Sequence, residues 1–195
     1  MLLKICGITR KEDLFAAQKA GADYAGFILV PGSPRCLDPE TARELIRSAD
    51  CASVCVVRDM PLAELNDAIA FLHPDIVQLH GAETPEYAAR IAGAEVWKAV
   101  RMESEADLRE ALAFPCSRIV ADSGGGTGRP CRWDLASRLA AERSVFLAGG
   151  ITPENVREAI RTVRPAGIDV SGGVETSPGI KDHKKIQLLA ERIGQ

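Results

Sequence analysis

Short runs of apolar, often β-branched residues alternate along the whole chain with longer stretches in which apolar residues recur at helical spacing. The short runs have the length of buried strands, and the longer stretches have the period of amphipathic helices. The predicted strands cover residues 2–6, 24–29, 52–57, 76–79, 96–100, 118–121, 145–148 and 168–170. The predicted helices cover residues 11–20, 39–48, 62–72, 85–92, 105–112, 133–141, 153–163 and 183–193.

Several predicted helices carry start or stop signals. Thr9 and Glu12 have the spacing of a capping box, in which each side chain caps a backbone amide of the other residue. Gly21 and Gly93 stand where a left-handed residue would end a helix. At three other helix starts a capping side chain precedes a proline in the first helical position: Asp38-Pro39, Thr84-Pro85 and Thr152-Pro153.

The alternation of eight strands with eight helices predicts the fold class. Strands that are each followed by a helix must run parallel, joined by right-handed crossovers. Eight such units close into an α/β fold, a (β/α)8 TIM barrel of minimal size. No linker or change of composition divides residues 1–195, so we expect a single domain. An open doubly wound sheet of about six strands is the alternative, and it would leave two predicted strands unexplained.

Composition and charge narrow the function classes. Hydrophobic residues make up 46% of the 195 residues, which suffices for a buried core and excludes a disordered chain. No apolar run approaches the roughly 20 residues of a membrane helix, and the N-terminus lacks the layout of a signal peptide, so we expect a cytoplasmic protein without a membrane partner. The net charge of −3 and the 5% of aromatic residues argue against a nucleic-acid partner.

Cysteine and histidine patterns argue against disulfides and zinc. Six cysteines occur without a C-x-x-C pair in a chain that lacks a secretory signal, so reduced thiols are expected. The three histidines, His73, His80 and His183, are scattered and lack the spacing of zinc ligands. The sequence therefore predicts no metal site.

If the strands close into a barrel, the active site lies over their C-terminal ends. Cys6 ends the first predicted strand, and Asp122 follows the sixth. A thiolate and a protonated carboxyl that project toward one mouth could move protons at two substrate atoms, which is the chemistry of an isomerase or a lyase. The alternative is that Cys6 is a small core residue and that Asp122 only caps the loop after it.

Three further polar residues are candidates for substrate contacts. Arg35 lies in a proline-containing loop and could bind a carboxylate or a phosphate. His80 follows the fourth strand and could orient a substrate hydroxyl. Asp169 belongs to the last strand and could face the site or pair with a neighbour. A solvated arginine and a hydrogen-bonded strand-end histidine are the alternative interpretations.

Glycine pairs follow the last two strands. Gly149-Gly150 precedes a predicted helix, and residues 171–173 read serine-glycine-glycine. Phosphate sites formed by these two loops recur in barrels of this class, because exposed amides and a helix start favour an anion. Tight turns are the alternative reason for the glycines. A third glycine-rich run, 124–128, matches neither a Walker A loop nor a dinucleotide loop, and a lid, a phosphate clamp and a plain loop stay open for it.

Five sequence motifs, in order along the chain, indicate a known family. They are Lys4-Ile5-Cys6-Gly7-Ile8-Thr9, Val77-Gln78-Leu79-His80-Gly81, Asp122 ahead of Gly125-Gly126-Thr127-Gly128, Leu147-Ala148-Gly149-Gly150-Ile151 with Pro153-Glu154-Asn155-Val156, and Asp169-Val170-Ser171-Gly172-Gly173-Val174-Glu175. Together they resemble the phosphoribosylanthranilate isomerase family of tryptophan biosynthesis. The likeness extends from residue 4 to residues 181–182, nearly the whole chain.

The resemblance implies a (β/α)8 barrel that performs an Amadori rearrangement without metal or organic cofactor. The substrate would be the phosphosugar N-(5-phosphoribosyl)anthranilate, and the product 1-(2-carboxyphenylamino)-1-deoxyribulose 5-phosphate. Matched motif by motif, Cys6 resembles the family's general base, Asp122 its general acid and Arg35 its arginine near the anthranilate carboxylate. His80 and Asp169 are expected substrate contacts from their positions along the strands. The expected phosphate-binding residues lie in the glycine loops: Gly126, Gly128, Gly149, Gly150, Ser171, Gly172 and Gly173.

The chain departs from the family pattern near the expected phosphate site. Residues 129–133 lack the usual lysine-threonine-phenylalanine-aspartate start, and Gly172 replaces a usual serine or asparagine. Another phosphosugar barrel enzyme, either an epimerase or an indole-forming synthase, and a catalytically silent phosphate-binding barrel are the alternatives. The sequence leaves open whether a related histidine-pathway aminoaldose is accepted and whether the protein is a monomer or a homodimer.

Overall fold

Eight parallel strands close into a barrel, and a helix follows each strand. The computed structural model describes residues 1–123 and 131–194. The strands are β1 (Leu2–Cys6), β2 (Tyr24–Ile28), β3 (Ala52–Val57), β4 (Ile76–Leu79), β5 (Glu95–Arg101), β6 (Arg118–Asp122), β7 (Val145–Leu147) and β8 (Gly167–Val170). The helices are α1 (Lys11–Lys19), α2 (Pro39–Arg47), α3 (Leu62–Leu72), α4 (Pro85–Ala88), α5 (Glu105–Ala113), α6 (Trp133–Ala140), α7 (Val156–Val163) and α8 (His183–Ile193).

The strand order confirms the predicted (β/α)8 barrel. Each strand pairs in parallel with the next one in the chain, and β8 pairs with β1, which excludes the open sheet. A short 3₁₀ helix, Gly172–Val174, and a hairpin of β9 (Glu175–Ser177) and β10 (Ile180–Lys181) lie between β8 and α8. Across the two described ranges, no helix combines the length and the apolar character needed to cross a bilayer.

Most predicted boundaries agree closely with the structure, and α4 is an exception. It ends at Ala88, short of the predicted residue 92. Beyond that point the amides of Arg90 and Ile91 donate to the carbonyls of Tyr87 and Ala88, three residues back, so the chain continues in turns and not as a helix. The hydrophobic pattern does not distinguish these two conformations.

The predicted helix caps at Asp38 and Thr84 are confirmed, and the predicted capping box at Thr9 is wrong. Asp38 and Thr84 each accept a hydrogen bond from the amide three residues later, at 2.9 and 3.2 Å. The Thr9 hydroxyl instead donates to the carbonyl of Gly179, and the N-cap of α1 is Arg10, whose side chain makes no capping bond. The capping box prediction fails because the β9–β10 loop competes for the threonine. Both predicted glycine stops are left-handed, with φ of 86°.

An aromatic cluster fills the barrel interior toward the N-terminal ends of the strands. The rings of Tyr24, Trp97 and Phe146 have centroids 4.9–5.5 Å apart. The guanidinium of Arg118 lies 5.4–5.8 Å from each ring centroid. A Cβ at Gly167 would lie 2.5 Å from Cε1 of Phe146, so only glycine fits beside this cluster. Because this cluster fills the N-terminal part of the barrel interior, a ligand can enter the interior only at the C-terminal mouth.

Truncating the aromatic cluster should destabilise the barrel more than truncating a surface ring. Trp97 is fully buried, so Trp97→Ala should lower the free energy of unfolding by about 3–5 kcal/mol, through lost apolar burial and the cavity left behind. Phe15, whose residue is 52% exposed on α1, is the control, and Phe15→Ala should change it by less than about 1 kcal/mol. Urea unfolding followed by far-ultraviolet circular dichroism measures both, and equal losses would contradict the packing described above.

Candidate active site at the mouth of the barrel

Cys6 is the last residue of β1, and its side chain points into the barrel. The residue is buried, with 7% of its surface exposed. It pairs in register with Gly26 of β2. A Cβ at Gly26 would lie 2.7 Å from the Cys6 sulfur, so the glycine makes room for the thiol. Cys6 therefore lies at the C-terminal mouth, where the sequence predicts it.

Charged neighbours act on the Cys6 thiol in opposite directions. Burial raises its pKa above the ordinary value of 9.0, and the carboxylate of Asp169 acts in the same direction. The positive charges of Lys4 and Lys181 act to lower it, and Lys4 adds a hydrogen bond. Because the net shift is upward, the free protein holds Cys6 mainly as the thiol at neutral pH.

A buried ion pair lies one inward position deeper in the barrel than Cys6. Lys4 pairs in register with Asp169 of β8, and its Nζ lies 2.8 Å from Oδ2 of Asp169. Lys4 is fully buried, and Asp169 is 7% exposed. The second carboxylate oxygen, Oδ1, is buried and accepts no hydrogen bond from the described residues. Asp169 thus pairs with a neighbour, and its second oxygen receives no hydrogen bond from the described residues.

Asp122 ends β6, across the barrel from Cys6, and belongs to a row of polar side chains. Its Oδ2 lies 3.1 Å from Nε2 of His80, and its Oδ1 accepts the amide of Ser123 at 2.7 Å. The other ring nitrogen of His80, Nδ1, lies 3.3 Å from the side-chain amide of Gln78. The structure therefore brings together Asp122 and His80, which the sequence pattern treats as separate candidates.

Arg35 is held near Cys6 by an acidic partner. Its Nε and Nη2 donate to Glu175 at 2.8 and 2.6 Å, which is a bidentate pair. Glu175 also accepts from Lys181 at 2.8 Å, and Lys181 donates to the carbonyl of Cys6 at 2.6 Å. Although burial acts to raise it, the hydrogen bonds from Arg35 and Lys181 hold the pKa of Glu175 below its usual range. Arg35 is thus a positioned cation and not a freely solvated one.

The loops after β7 and β8 pack against each other. Gly149 and Gly150 are left-handed, with φ of 78° and 62°. A Cβ at Gly149 would lie 2.9 Å from Oδ1 of Asp122, so this loop also closes on the carboxyl. A Cβ at Gly173, in the 3₁₀ helix, would lie 1.9 Å from the carbonyl oxygen of Ile151. Left-handed turns and a helix start are the backbone settings in which amides bind anions.

The start of α7 corrects one prediction about these loops. The sequence predicts a helix from residue 153, with Thr152 as its cap, but α7 begins at Val156. Asn155 accepts the amide of Thr152 at 2.9 Å and donates to the carbonyl of Gly150 at 2.8 Å. These two bonds hold the intervening residues in a closed turn, which delays the helix. Gly126 and Gly128 lie outside the described residues, and their roles stay predictions.

A cavity of about 300 Å³ opens beside Asp122 and His80, and Arg58 and Arg101 also line it. A larger cavity, of about 520 Å³, lies at the opposite end of β3 between α2 and α3. None of the predicted site residues lines the larger cavity. Because Asp122 and His80 line the smaller cavity, we take it as part of the candidate site.

The sequence pattern alone does not identify four charged or polar members of this site: Lys4, Gln78, Glu175 and Lys181. Lys4 stands two residues before Cys6 in β1, and Gln78 stands two residues before His80, which follows β4. Alternation along β1 and β4 could have found them, because a polar side chain that faces a barrel interior must have a partner. Glu175 and Lys181 belong to the β9–β10 hairpin, which the strand pattern does not predict.

Comparison with known proteins agrees with the motifs quoted above. The family model for N-(5'-phosphoribosyl)anthranilate (PRA) isomerase matches residues 3–192. A relative from Pelobacter propionicus, named N-(5'-phosphoribosyl)anthranilate isomerase, is 41% identical over 192 residues, which cover 95% of this chain and 91% of the relative. The chain belongs to the phosphoribosylanthranilate isomerase family. Its activity is the isomerisation of phosphoribosylanthranilate in tryptophan biosynthesis.

Solved structures of this isomerase family share the fold over nearly their full length. The crystal structure of the isomerase from Thermus thermophilus has a TM-score of 0.92 and 37% identity, covering 99% of this chain and 98% of that chain. A crystal structure of a phosphoribosylanthranilate isomerase in complex with reduced 1-(o-carboxyphenylamino)-1-deoxyribulose 5-phosphate has a TM-score of 0.89 and 36% identity, covering 98% and 97% of the two chains. Family membership decides against the epimerase and the indole-forming synthase.

Two adjacent glycines should respond differently to an added methyl group. Gly173→Ala places a Cβ against a backbone carbonyl, so the two loops must separate, and we expect KM to rise by at least about tenfold. At Gly172 the nearest atoms to a new Cβ are side-chain atoms 3.7 and 3.9 Å away, so Gly172→Ala should change KM by less than about threefold. Steady-state kinetics on both variants makes the comparison, and an equal response at the two positions would contradict this loop packing.

Proposed function

We propose that Cys6 is the general base and Asp122 the general acid of this isomerisation. Asp122 protonates the ring oxygen of the ribose, the bond from that oxygen to C1 breaks, and the anthranilate nitrogen forms a protonated Schiff base with C1. The Cys6 thiolate then removes the proton from C2, and the electron pair of that C–H bond forms an enolamine, which becomes the ketone product. The observation that carries the proposal is that both groups are buried at one mouth, on β1 and β6.

The contact between His80 and Asp122 supports the acid assignment. The separation of 3.1 Å lets the carboxyl and the imidazole share one proton, which Asp122 delivers to the ring oxygen when it holds that proton. A side-chain amide can present either its nitrogen or its oxygen, so Gln78 accommodates both tautomers of His80. In this role His80 orients Asp122 and supplies its proton, in addition to any hydrogen bond to a substrate hydroxyl.

The two charged ends of the substrate match the cations and the amides around the acid–base pair. Arg35 uses Nε and Nη2 for Glu175, and its Nη1 is the group that we assign to the anthranilate carboxylate. The loops that contain Gly149, Gly150 and residues 171–173 are assigned to the phosphate. The unbonded Oδ1 of Asp169 is assigned to a ribose hydroxyl. Holding both ends fixes C2 and the ring oxygen between base and acid, which lowers the entropic cost of reaction.

The predictions of a cytoplasmic location and of a monomer or a homodimer are also part of the proposal. Light scattering coupled to size-exclusion chromatography distinguishes the two oligomeric states. Cell fractionation with an antibody against the chain tests the location.

Removing either proton-transfer group should abolish most turnover without unfolding the barrel. We expect Cys6→Ala and Asp122→Asn each to lower kcat by about 10²–10⁴-fold, the usual contribution of a positioned acid or base. Cys55→Ala and Asp75→Asn are matched controls, because Cys55 packs in the apolar cluster between the barrel and its helices, and Asp75 precedes β4 at the end of the barrel opposite the mouth. Fluorescence of the anthranilate group follows substrate consumption. Turnover near the wild-type value in both site variants, with circular dichroism unchanged, would overturn the assignment.

A further inference from the structure

The charged side chain of Lys4 occupies a position in the barrel where burial of a charge is unfavourable. Its side chain is fully buried inside the barrel, two residues before Cys6 on the same inward face of β1. Moving an ammonium group from water into a protein interior is unfavourable unless other charges compensate it, and a well-packed apolar residue often serves stability as well or better. A buried ammonium group at position 4 therefore indicates a role other than stability, such as an electrostatic interaction with a neighbouring group.

A second buried lysine, Lys98, shows how a lysine with a purely structural role is bonded, and Lys4 differs from it. Lys98 of β5, on the outer face of the barrel, lies 3.0 Å from Glu83 and also donates to the carbonyl of Gly81. Glu83 in turn accepts the amides of Gly81 and Asp59, so this outer ion pair is closed on itself. Lys4, by contrast, makes one hydrogen bond with a carboxylate among the described residues, and that carboxylate keeps an unbonded oxygen.

The charges around Cys6 leave one positive charge in excess among the described residues. The cations are Lys4 on β1, Lys181 on β10 and Arg35 in the loop after β2. The carboxylates are Asp169 on β8 and Glu175 on β9, each already paired with one or two of those cations. A negative charge on the Cys6 sulfur would balance the group. Proton abstraction requires that charge, since the thiolate is the form that acts as a base.

We propose that Lys4 is a positioning residue for the isomerisation: held by Asp169 on the same inward face of β1 as Cys6, its ammonium is the counter-ion of the Cys6 thiolate. This inference rests on the assignment of Cys6 as the base. In this arrangement Asp169 binds Lys4 with one carboxylate oxygen, and its other oxygen is available to the substrate.

Lys4 suits this role better than Lys181 does. Although burial acts to lower it, Asp169 and Cys6 raise the pKa of Lys4 above its usual value, so its charge persists at alkaline pH. Burial lowers the pKa of Lys181, and Glu175 opposes this lowering without reversing it. Lys181 also donates to the Cys6 carbonyl and to Glu175, so its hydrogens are directed elsewhere.

The test compares Lys4→Met with Lys98→Met, which remove two equally buried ammonium groups from the same sheet. Each protein is alkylated with iodoacetamide over a range of pH, and mass spectrometry of the Cys6 peptide gives the midpoint for that thiol alone. We expect Lys4→Met to raise the midpoint by at least about one pH unit, and the rising limb of kcat/KM against pH to move by the same amount. Lys98→Met should lower stability and leave both midpoints unchanged.

The reverse shift should follow from Asp169→Asn, which also covers the case in which Lys4→Met fails to fold. Removing that carboxylate takes away a negative charge that itself raises the pKa of Cys6 and leaves Lys4 without its anionic partner, so the Cys6 midpoint should fall. A Cys6 midpoint that stays at the wild-type value in folded Lys4→Met would overturn the inference, as would an equal rise in Lys98→Met; if Lys4→Met does not fold, an unchanged midpoint in Asp169→Asn overturns it. If the alkylation midpoint moves and the kcat/KM profile does not, Lys4 still controls the thiol, and the assignment of Cys6 as the base is what fails.

Discussion

The register of β1 with its two neighbours is the constraint on which the site depends. Side chains alternate across a strand, so the inward position of Cys6 also makes Lys4 inward. Pairing with β2 sets the sulfur opposite Gly26, and pairing with β8 sets Lys4 opposite Asp169. A slip of one residue would turn all of these groups to the other face and bury Leu3 and Ile5 inside the barrel instead. Backbone hydrogen bonds thereby fix the chemistry.

The packed floor and the charged mouth depend on each other. The cluster of Tyr24, Trp97 and Phe146 fills the lower interior, which leaves the charged groups above it in a poorly solvated space. Electrostatic interactions are stronger in such a space than in water. The same burial that raises the pKa of Cys6 therefore also strengthens the effect of every cation near it. The barrel achieves this with single residues on a few of its strands.

Much of the fold and part of the site could be predicted from the sequence. Physical reasons explain which features could be predicted and which could not. Strands and helices follow from local periodicity, so nearly all boundaries agree. The predicted capping box at Thr9 is wrong because the distant carbonyl of Gly179 takes the threonine hydroxyl. The predicted start of α7 at residue 153 is too early because the Asn155 side chain binds the amide of Thr152. Cys6 and Asp122 could be placed at strand ends by counting alone.

Long-range partners could not be found from local pattern. The bond between His80 and Asp122 joins residues on different strands, and Arg35 meets Glu175 across 140 positions of the chain. The β9–β10 hairpin, which supplies Glu175 and Lys181, is too short to leave a periodic signal. That Lys4 faces the site could have been predicted, because it shares the inward face of β1 with Cys6. Its pairing with Asp169 could not, because β1 and β8 come together only when the barrel closes.

In the proposed mechanism a base and an acid approach one sugar from two walls of the barrel. The decisive measurement is a crystal structure of this chain with a reduced, unreactive analogue of the product bound. We expect the Cys6 sulfur within about 4 Å of C2, and an Asp122 oxygen within about 3.2 Å of the oxygen derived from the ribose ring. A complex in which either side chain points away from the sugar, or in which both contact the same atom, would contradict it.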